Sequence, residues 1–460
     1  MSLYESGRAA RDWLEARIRS APELNAPLFR ALRAKQIERG LVHGARPICS
    51  YLSPLVLPRS LYEAIARAAE TLAPAFERVS QAALEDEALM RELGLTAREE
   101  TMARIDPGYK VLCVNSRLDT FIGATNFCFL EYNAESPAGL ADQMLAESVM
   151  FDLPHMREFL SRYQHWRPAP HVRLLRSLVE TYLEWGGEQE RPSIAIVDWK
   201  GVATASEFDV LKAYFESEGY PVIICDPREL EYDGKRLTAG GAAIDIVYKR
   251  VIIHEFLEKF DETHPLARAY AERRVMVANS FRTKLAHKKA SFAIISDPRY
   301  EYLFTPEQIS CARRHIPWTR RINAGRTTYE GVEQDLLELV RREREQLVIK
   351  PNDDYGGHGV VIGSETTPQE WEQAIERGME EPYVAQQRVA VEKVSMPGYA
   401  DEIQWQEMLV DFDPFLFRNE MHGGLARLSS SLLCNVSSGG GVTALLVLED
   451  EEPRQSQPHL

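Results

Sequence analysis

The spacing of hydrophobic and polar positions changes several times along the chain. Residues 1–105 read as a mainly helical N-terminal region. Stretches 8–20 and 60–93 carry Ala, Leu, Glu and Arg at helical spacing, and Pro54, Pro58 and Gly94 punctuate them. Two apolar segments, 109–114 and 126–133, then read as strands flanking a turn at Gly123-Ala124-Thr125-Asn126. Helical spacing returns over 140–163 and 171–185. From 194 onward short, mostly apolar runs read as buried strands (194–198, 222–225, 244–248) and alternate with a helix at 206–218, the signature of a small parallel α/β unit. Helices resume to about 345, followed by alternating strands and turns with one helix at 369–377. The predicted fold class is mixed, α/β (α+β). The predicted division is 1–105, 106–189, 190–285 (α/β), 286–448 and a flexible acidic tail, 449–460.

The strand pair carries the first chemistry. Arg117-Leu118-Asp119 and Glu131-Tyr132-Asn133 each hold two polar residues at i and i+2, which share one face of a strand. A hairpin register that pairs 119 with 131 also pairs 117 with 133, so all four polar side chains share one patch. Asp119 facing Glu131 repels unless a cation stands between them. A hard divalent ion with oxygen ligands meets that need.

Composition narrows the function. The chain has 460 residues, 45% hydrophobic, and a net charge of −15. The acidic balance argues against nucleic acid or an anionic membrane surface as partner. The apolar runs are too short to span a bilayer. The start of the sequence shows no basic and apolar signal segment. Six scattered cysteines (49, 113, 128, 225, 311, 434) form no CxxC pair, which fits free thiols in a cytoplasmic protein. His254-Glu255 begins like a zinc-protease helix, but position 258 is Glu.

A second constellation lies in the C-terminal third. Lys350 ends a buried strand and is followed by Tyr355-Gly356-Gly357-His358-Gly359. Glycines let backbone N–H groups approach phosphate oxygens, and a nearby lysine adds charge. A glycine-rich hairpin turn with a surface lysine is the competing reading. The loop is neither a Walker A motif nor a dinucleotide fingerprint. Arg427, then Asn435 before Gly439-Gly440-Gly441, suits a triphosphate terminus and a metal ion; a plain turn competes here too.

Together these pieces resemble the ATP-grasp superfamily, with the parts in altered order. Asp119 and the Glu-x-Asn of 131–133 precede Lys350, whereas they ordinarily come last. The pattern is similar to the circularly permuted ATP-grasp group that includes glutathionylspermidine synthetase, as is the phrase Glu131-Tyr132-Asn133-Ala134-Glu135-Ser136-Pro137-Ala138-Gly139. The resemblance spans about 110–445. It implies ATP and Mg²⁺, with Asp119, Glu131 and Asn133 as metal ligands. Arg117 would steady the transferring phosphate, and Lys350 would contact the phosphates beneath a lid over 355–359. Adenine would meet Gln386, Gln387 and Val389 at a hinge, with Glu392 on the ribose. The family's second lysine falls on Lys288 or Lys289. Glu135 reads as structural or substrate-facing, and the 190–285 segment as a pre-ATP-grasp-like, substrate-binding domain. The implied activity is ATP-dependent joining of a carboxylate to an amine or thiol. The substrates would be small molecules: an amino acid, peptide or polyamine. Phosphotransfer without ligation and a non-catalytic nucleotide-binding module are the alternatives. No amidase partner for Cys49 is evident in the first 105 residues.

Overall fold

A computed structural model describes residues 7–354, 356–430 and 440–449. Helices dominate the N-terminal region: Arg8–Arg19, Ala26–Arg39, Arg59–Glu85, Glu87–Leu93 and Ala97–Arg104. The run at 60–93 is two helices because Asp86 leaves the helical region, and its carboxylate caps the second helix, accepting the Ala88 N–H at 2.7 Å. The long Arg59–Glu85 helix buries Leu61, Ile65, Leu72, Phe76 and Val79. Phe76 packs 4.5 Å from the Tyr132 ring and 4.9 Å from Phe292. This helix therefore backs the strand pair, and Phe76→Ala there would cost about 3–5 kcal/mol.

The strand pair is an antiparallel hairpin, Asn115–Ile122 with Phe127–Asn133. Gly123 closes its turn by donating to the Asn126 carbonyl at 2.8 Å. Residues 109–114, expected as strand, lie before it. They are anchored by side chains instead: Tyr109 donates to the Val277 carbonyl at 2.7 Å, and Asn279 accepts the Val114 N–H at 2.7 Å. Among the described residues six strands form the sheet around this hairpin. Asn115–Ile122 docks on Ile403–Phe417, which also pairs with Glu420–Ser429 and Lys393–Tyr399, and Gly441–Thr443 adds an edge. The hairpin thus completes a sheet whose other strands come from the far end of the chain.

The expected helix at 140–163 breaks into Leu140–Met150 and Pro154–Arg162, since Pro154 opens a new helix as its N1 residue. The parallel unit has the strand order Met276–Ala278, Ile246–Lys249, Ile194–Val197, Val222–Cys225, with Ala205–Ser217 as a crossover helix. The "helices to about 345" expectation misses strands at Thr319–Arg321, Arg326–Tyr329 and Val332–Asp335. Thr319–Arg321 joins an antiparallel sheet with Tyr383–Gln387, Leu347–Pro351 and Val361–Ile362. Pro368–Glu380 covers this sheet, burying Trp371, Ala374 and Ile375 against Leu347, Ile349 and Ala385. No helix among the described residues is long and apolar enough to cross a membrane.

Candidate functional site

The hairpin register pairs Asp119 with Glu131 and Arg117 with Asn133, as the spacing predicts, with an irregularity just after Asp119. Leu118 and Tyr132 occupy the opposite, buried face. Asn133 donates through Nδ2 to Asp119 Oδ1 at 2.7 Å, and Arg117 Nε lies 3.0 Å from the same oxygen. Arg117 also donates through Nη1 to the Ala138 carbonyl at 2.7 Å.

The neighbouring strand brings two carboxylates the sequence reading missed. Asp411 and Asp413 share a face of Ile403–Phe417, and both reach Arg427 Nη2, at 2.5 and 2.8 Å; Asp119 Oδ2 reaches the same nitrogen at 2.7 Å. Three carboxylates thus meet two guanidiniums, leaving one negative charge in excess. Burial disfavours a charged Asp119, but Arg117 and Arg427 outweigh it and hold the group below the usual carboxylate range. For Asp411 and Asp413 burial prevails over Arg427, and the crowding of carboxylates adds to it, so both are pushed up. The signal was present in the sequence: two aspartates at i and i+2 inside the apolar run Leu409-Val410-Asp411-Phe412-Asp413.

Two lysines approach from the other side. Lys350, in Leu347–Pro351, donates to Gln386 Oε1 at 2.6 Å. Burial pulls its ammonium down to about 8, with Glu131 opposing the shift. Lys289 donates to Glu131 Oε1 at 3.1 Å and to the Asp354 carbonyl at 2.8 Å. Lys288 turns elsewhere, to Glu99 and Asp353 at 2.9 and 2.6 Å. Asn352 ties the two lysine segments together: its carbonyl accepts the Lys289 N–H at 2.9 Å, and its side chain accepts the Ala290 N–H at 2.8 Å.

Arg117, Asp119, Glu131, Lys289, Lys350 and Arg427 line one cavity of about 560 Å³, while Asp413, Lys288 and Asn352 stand behind its wall. Gly356 and Gly357 stand on its wall with φ of 66° and 76°, backbone that side chains rarely adopt. The family model described as circularly permuted ATP-grasp type 2 matches residues 80–429. The chain belongs to that family. An uncharacterized Synechocystis protein, sll0335, is 25% identical over 349 residues, 71% of this chain and 67% of its own length. A putative glutamate–cysteine ligase 2-2 of Frankia casuarinae is 27% identical over 346 residues, 69% of this chain but 36% of that protein. This chain therefore spans little more than a third of the Frankia relative. Among solved structures, a glutathione synthetase-like effector from Globodera pallida, in its apo form, aligns with a TM-score of 0.60 at 10% identity. It covers 92% of this chain and 97% of that one, a likeness of fold.

In this ATP-grasp chain most of the sequence-predicted residues meet in the cavity: Arg117, Asp119, Glu131 and Asn133 with Lys289, Lys350 and Arg427, and the hinge residues Gln386, Gln387 and Val389. Glu392 does not line it; its N–H donates to the Ile122 carbonyl at 3.1 Å. Gly359 also stands off the wall, and a Cβ there would meet Pro351 Cγ at 2.7 Å. Tyr355, Asn435, Cys434 and the tail from 450 lie outside the described residues. Gln386 is a bridge between strands, accepting from Lys350 and donating to Thr319 Oγ1 at 3.1 Å. At the hinge the Gln387 and Arg388 N–H groups bond the Trp318 and Gln346 carbonyls, each at 2.8 Å.

The donor set fits a hard divalent cation. Oxygens of Asp119, Asp411 and Asp413 lie within 4.8 Å of one another but are gathered on Arg427 Nη2 at 2.5–2.8 Å, so an entering ion would meet the cavity-lining carboxylates of Asp119 and Glu131. Asp411 Oδ1 is buried without a hydrogen-bond partner among the described residues. Asn133 engages its amide nitrogen with Asp119, which leaves the amide oxygen for an ion. A second group, Glu135, His287 and Asp353, already holds an ammonium: Lys284 Nζ is 2.7 Å from both Glu135 and Asp353. Glu135 also accepts the Ile253 N–H at 2.8 Å and lines the cavity.

Proposed function

We propose that the protein is an ATP- and Mg²⁺-dependent ligase that joins a carboxylate to an amine, or a thiol, through an acyl phosphate. The observation that carries this reading is the confrontation of Lys289 and Lys350 with Asp119 and Glu131 across one cavity. Two cations facing two carboxylates suit a polyphosphate with its metal ion between them. The glutamate–cysteine ligase name of the Frankia relative agrees with it.

Lys350 and Lys289 take the phosphate oxygens as point charges, and Lys289 exchanges Glu131 for them. Backbone N–H groups at Gly356 and Gly357 close over the phosphates. With the hinge N–H groups of Gln387 and Arg388 engaged, adenine donation falls to Val389. Asp119, Glu131 and Asn133 would hold Mg²⁺, which supplies charge neutralisation at the phosphate oxygens. Arg117 and Arg427 stabilise charge developing on the transferring phosphoryl group. The substrate carboxylate attacks the terminal phosphorus and ADP leaves. The amine then attacks the acyl carbon, inorganic phosphate leaves, and the amine gives up a proton. We assign segment 106–189 the metal ligands, 286–448 the phosphate lysines, lid and hinge, and 190–285 the co-substrate. The helical region 1–105 backs the hairpin.

ADP release with Mg²⁺-ATP over pooled carboxylic acids and amines, read by mass spectrometry, tests the reading. An adduct whose mass is the sum of two pool members less one water supports it. A phosphorylated product alone makes the protein a phosphotransferase. Nucleotide binding without ADP release from any pool makes it a binding module.

A further inference from the structure

The parallel unit meets the cavity at one defined place. From Ile194–Val197 the chain crosses through Ala205–Ser217 to Val222–Cys225 on one side, then returns to Ile246–Lys249 on the other. In such sheets ligands bind beyond the carboxyl ends of the two strands where the order reverses. Asp198 follows the first of these strands and Arg250 the second, and both residues line the cavity. Arg250 is engaged by the fold: its Nη1 donates to the Pro137 carbonyl at 2.6 Å, and Glu207 stands 3.6 Å from its Nη2. Arg117 holds the next carbonyl, that of Ala138, at 2.7 Å. The loop at 137–138 therefore ties these strand ends to the groups proposed for phosphoryl transfer.

Asp198 is half-buried, and its Oδ1 accepts the Trp199 N–H at 2.8 Å, which orients the carboxylate. Among the described residues its Oδ2 accepts no hydrogen bond and the group forms no ion pair. Burial pushes the carboxyl up to about 6; Glu255 adds to the shift, and Arg250 and Lys249 oppose it. A base that is ionised at neutral pH, yet only about one unit below it, is well matched to take up a proton. Other titratable groups on the wall are committed differently. Glu131 receives Lys289 at 3.1 Å, and Glu135 receives Lys284 at 2.7 Å. Glu255 accepts the Trp199 indole N–H at 2.8 Å. His287 turns its Nε2 towards Glu135 and Asp353, at 3.9 and 3.8 Å. Asp142 has no hydrogen bond among the described residues to orient it, and it faces Glu207.

We infer that Asp198 is the general base of the joining step, taking the proton that frees the lone pair of the attacking amine. This rests on the ligase reading. At neutral pH an amine arrives chiefly as its ammonium. One proton passes to Asp198 Oδ2, the lone pair forms the C–N bond at the acyl carbon, and the C–O bond to phosphate breaks. The nitrogen's second surplus proton leaves with the phosphate, and Asp198 returns its own to water. Hydroxylamine, largely unprotonated at about pH 7.5, needs no such base and serves as the probe. With Mg²⁺-ATP and the acid pool, Asp198→Asn should form hydroxamate within about twofold of the parent, but adduct with the pooled amines about a hundredfold or more slower. The parent's adduct rate should fall as pH drops through about 6, a limb that this variant lacks. Asp142→Asn should keep both the rate and the limb. Adduct at the parental rate in Asp198→Asn, equal loss of hydroxamate and adduct, or the same effects in Asp142→Asn overturns the assignment alone. Neither hydroxamate nor adduct from the parent removes the ligase reading, and the base with it.

Discussion

Arg427 Nη2 stands 2.7 Å from Asp119 Oδ2, joining residues 308 positions apart in the chain. The same nitrogen reaches Asp411 and Asp413, so one guanidinium balances carboxylates from two adjacent strands. Removing one member of a buried charged group leaves the others unpaired. Arg427→Met is expected to lower stability by about 3–5 kcal/mol at neutral pH, read by urea denaturation. Asp411 and Asp413 already lie above their ordinary values in the folded state. A carboxyl raised on folding binds protons more readily in the native state, so stability falls as pH rises through its unfolded value. The deficit of the variant should therefore shrink at pH 4. An equal deficit at pH 4 and pH 8 would show that lost packing, not charge, is the cause.

On the proposed function Lys350 serves the nucleotide more than the fold. Its ammonium makes a 2.6 Å bond to Gln386, yet burial opposes its charge. Lys350→Met should leave stability within about 1 kcal/mol of the parent, because relief of desolvation offsets the lost bond. Mg²⁺-ATP affinity should drop about 10–100-fold by calorimetry. Unchanged nucleotide affinity would remove Lys350 from the site.

Lys249 gives a stability signal at alkaline pH. It is fully buried in Ile246–Lys249, and burial pulls its ammonium down to about 8. A base lowered on folding holds fewer protons in the native than in the unfolded state between about 8 and its ordinary value of 10.5. Stability therefore rises with pH across that window, and the penalty is fully present below it. The gain is on the order of 3 kcal/mol. Lys350, lowered to about 8 as well, contributes in the same direction. Buried thiols raised from 9.0, such as Cys49 and Cys225, act in the opposite sense, so the test is a difference: the stability of the parent relative to Lys249→Met should rise between pH 7.5 and pH 10 by chemical denaturation. A difference that stays constant between the two pH values would contradict the burial argument.

How much of this was legible beforehand depends on whether the deciding interactions are local. The Asp119–Glu131 register followed from a two-residue period and a four-residue turn, both local. The parallel strands at 194, 222 and 246 were legible because each opens as a short apolar run, Ile246–Lys249 breaking the pattern only at its last residue. The choice between Lys288 and Lys289 was not legible. Both are nearly buried, and only the fold sends one towards Glu131 and the other to Glu99 and Asp353. Residues 109–114 look like strand because they are apolar, but Asn279, far along the chain, takes up the Val114 N–H. Glu392 lay close to the hinge in sequence, yet it does not line the cavity.

The carboxylates that approach Arg427 differ in what they can do. Asp413 is wholly buried, whereas Asp119 lines the cavity and faces Glu131. A ligand to an entering ion must be reachable from the cavity, and Asp413 is absent from its wall. Asp119→Asn keeps the shape but halves the negative charge of the Asp119–Glu131 pair. It should raise the divalent-ion requirement for nucleotide binding by more than about tenfold, as Mn²⁺ titration by electron paramagnetic resonance would show. Asp413→Asn should change stability while leaving the Mn²⁺ affinity of the nucleotide complex near that of the parent. The reverse ranking, with Asp413→Asn abolishing ion binding and Asp119→Asn retaining it, would move the ion from the hairpin to the strand beneath it. The assignment of Glu131 and Asn133 would then fall with Asp119, since all three share the hairpin face.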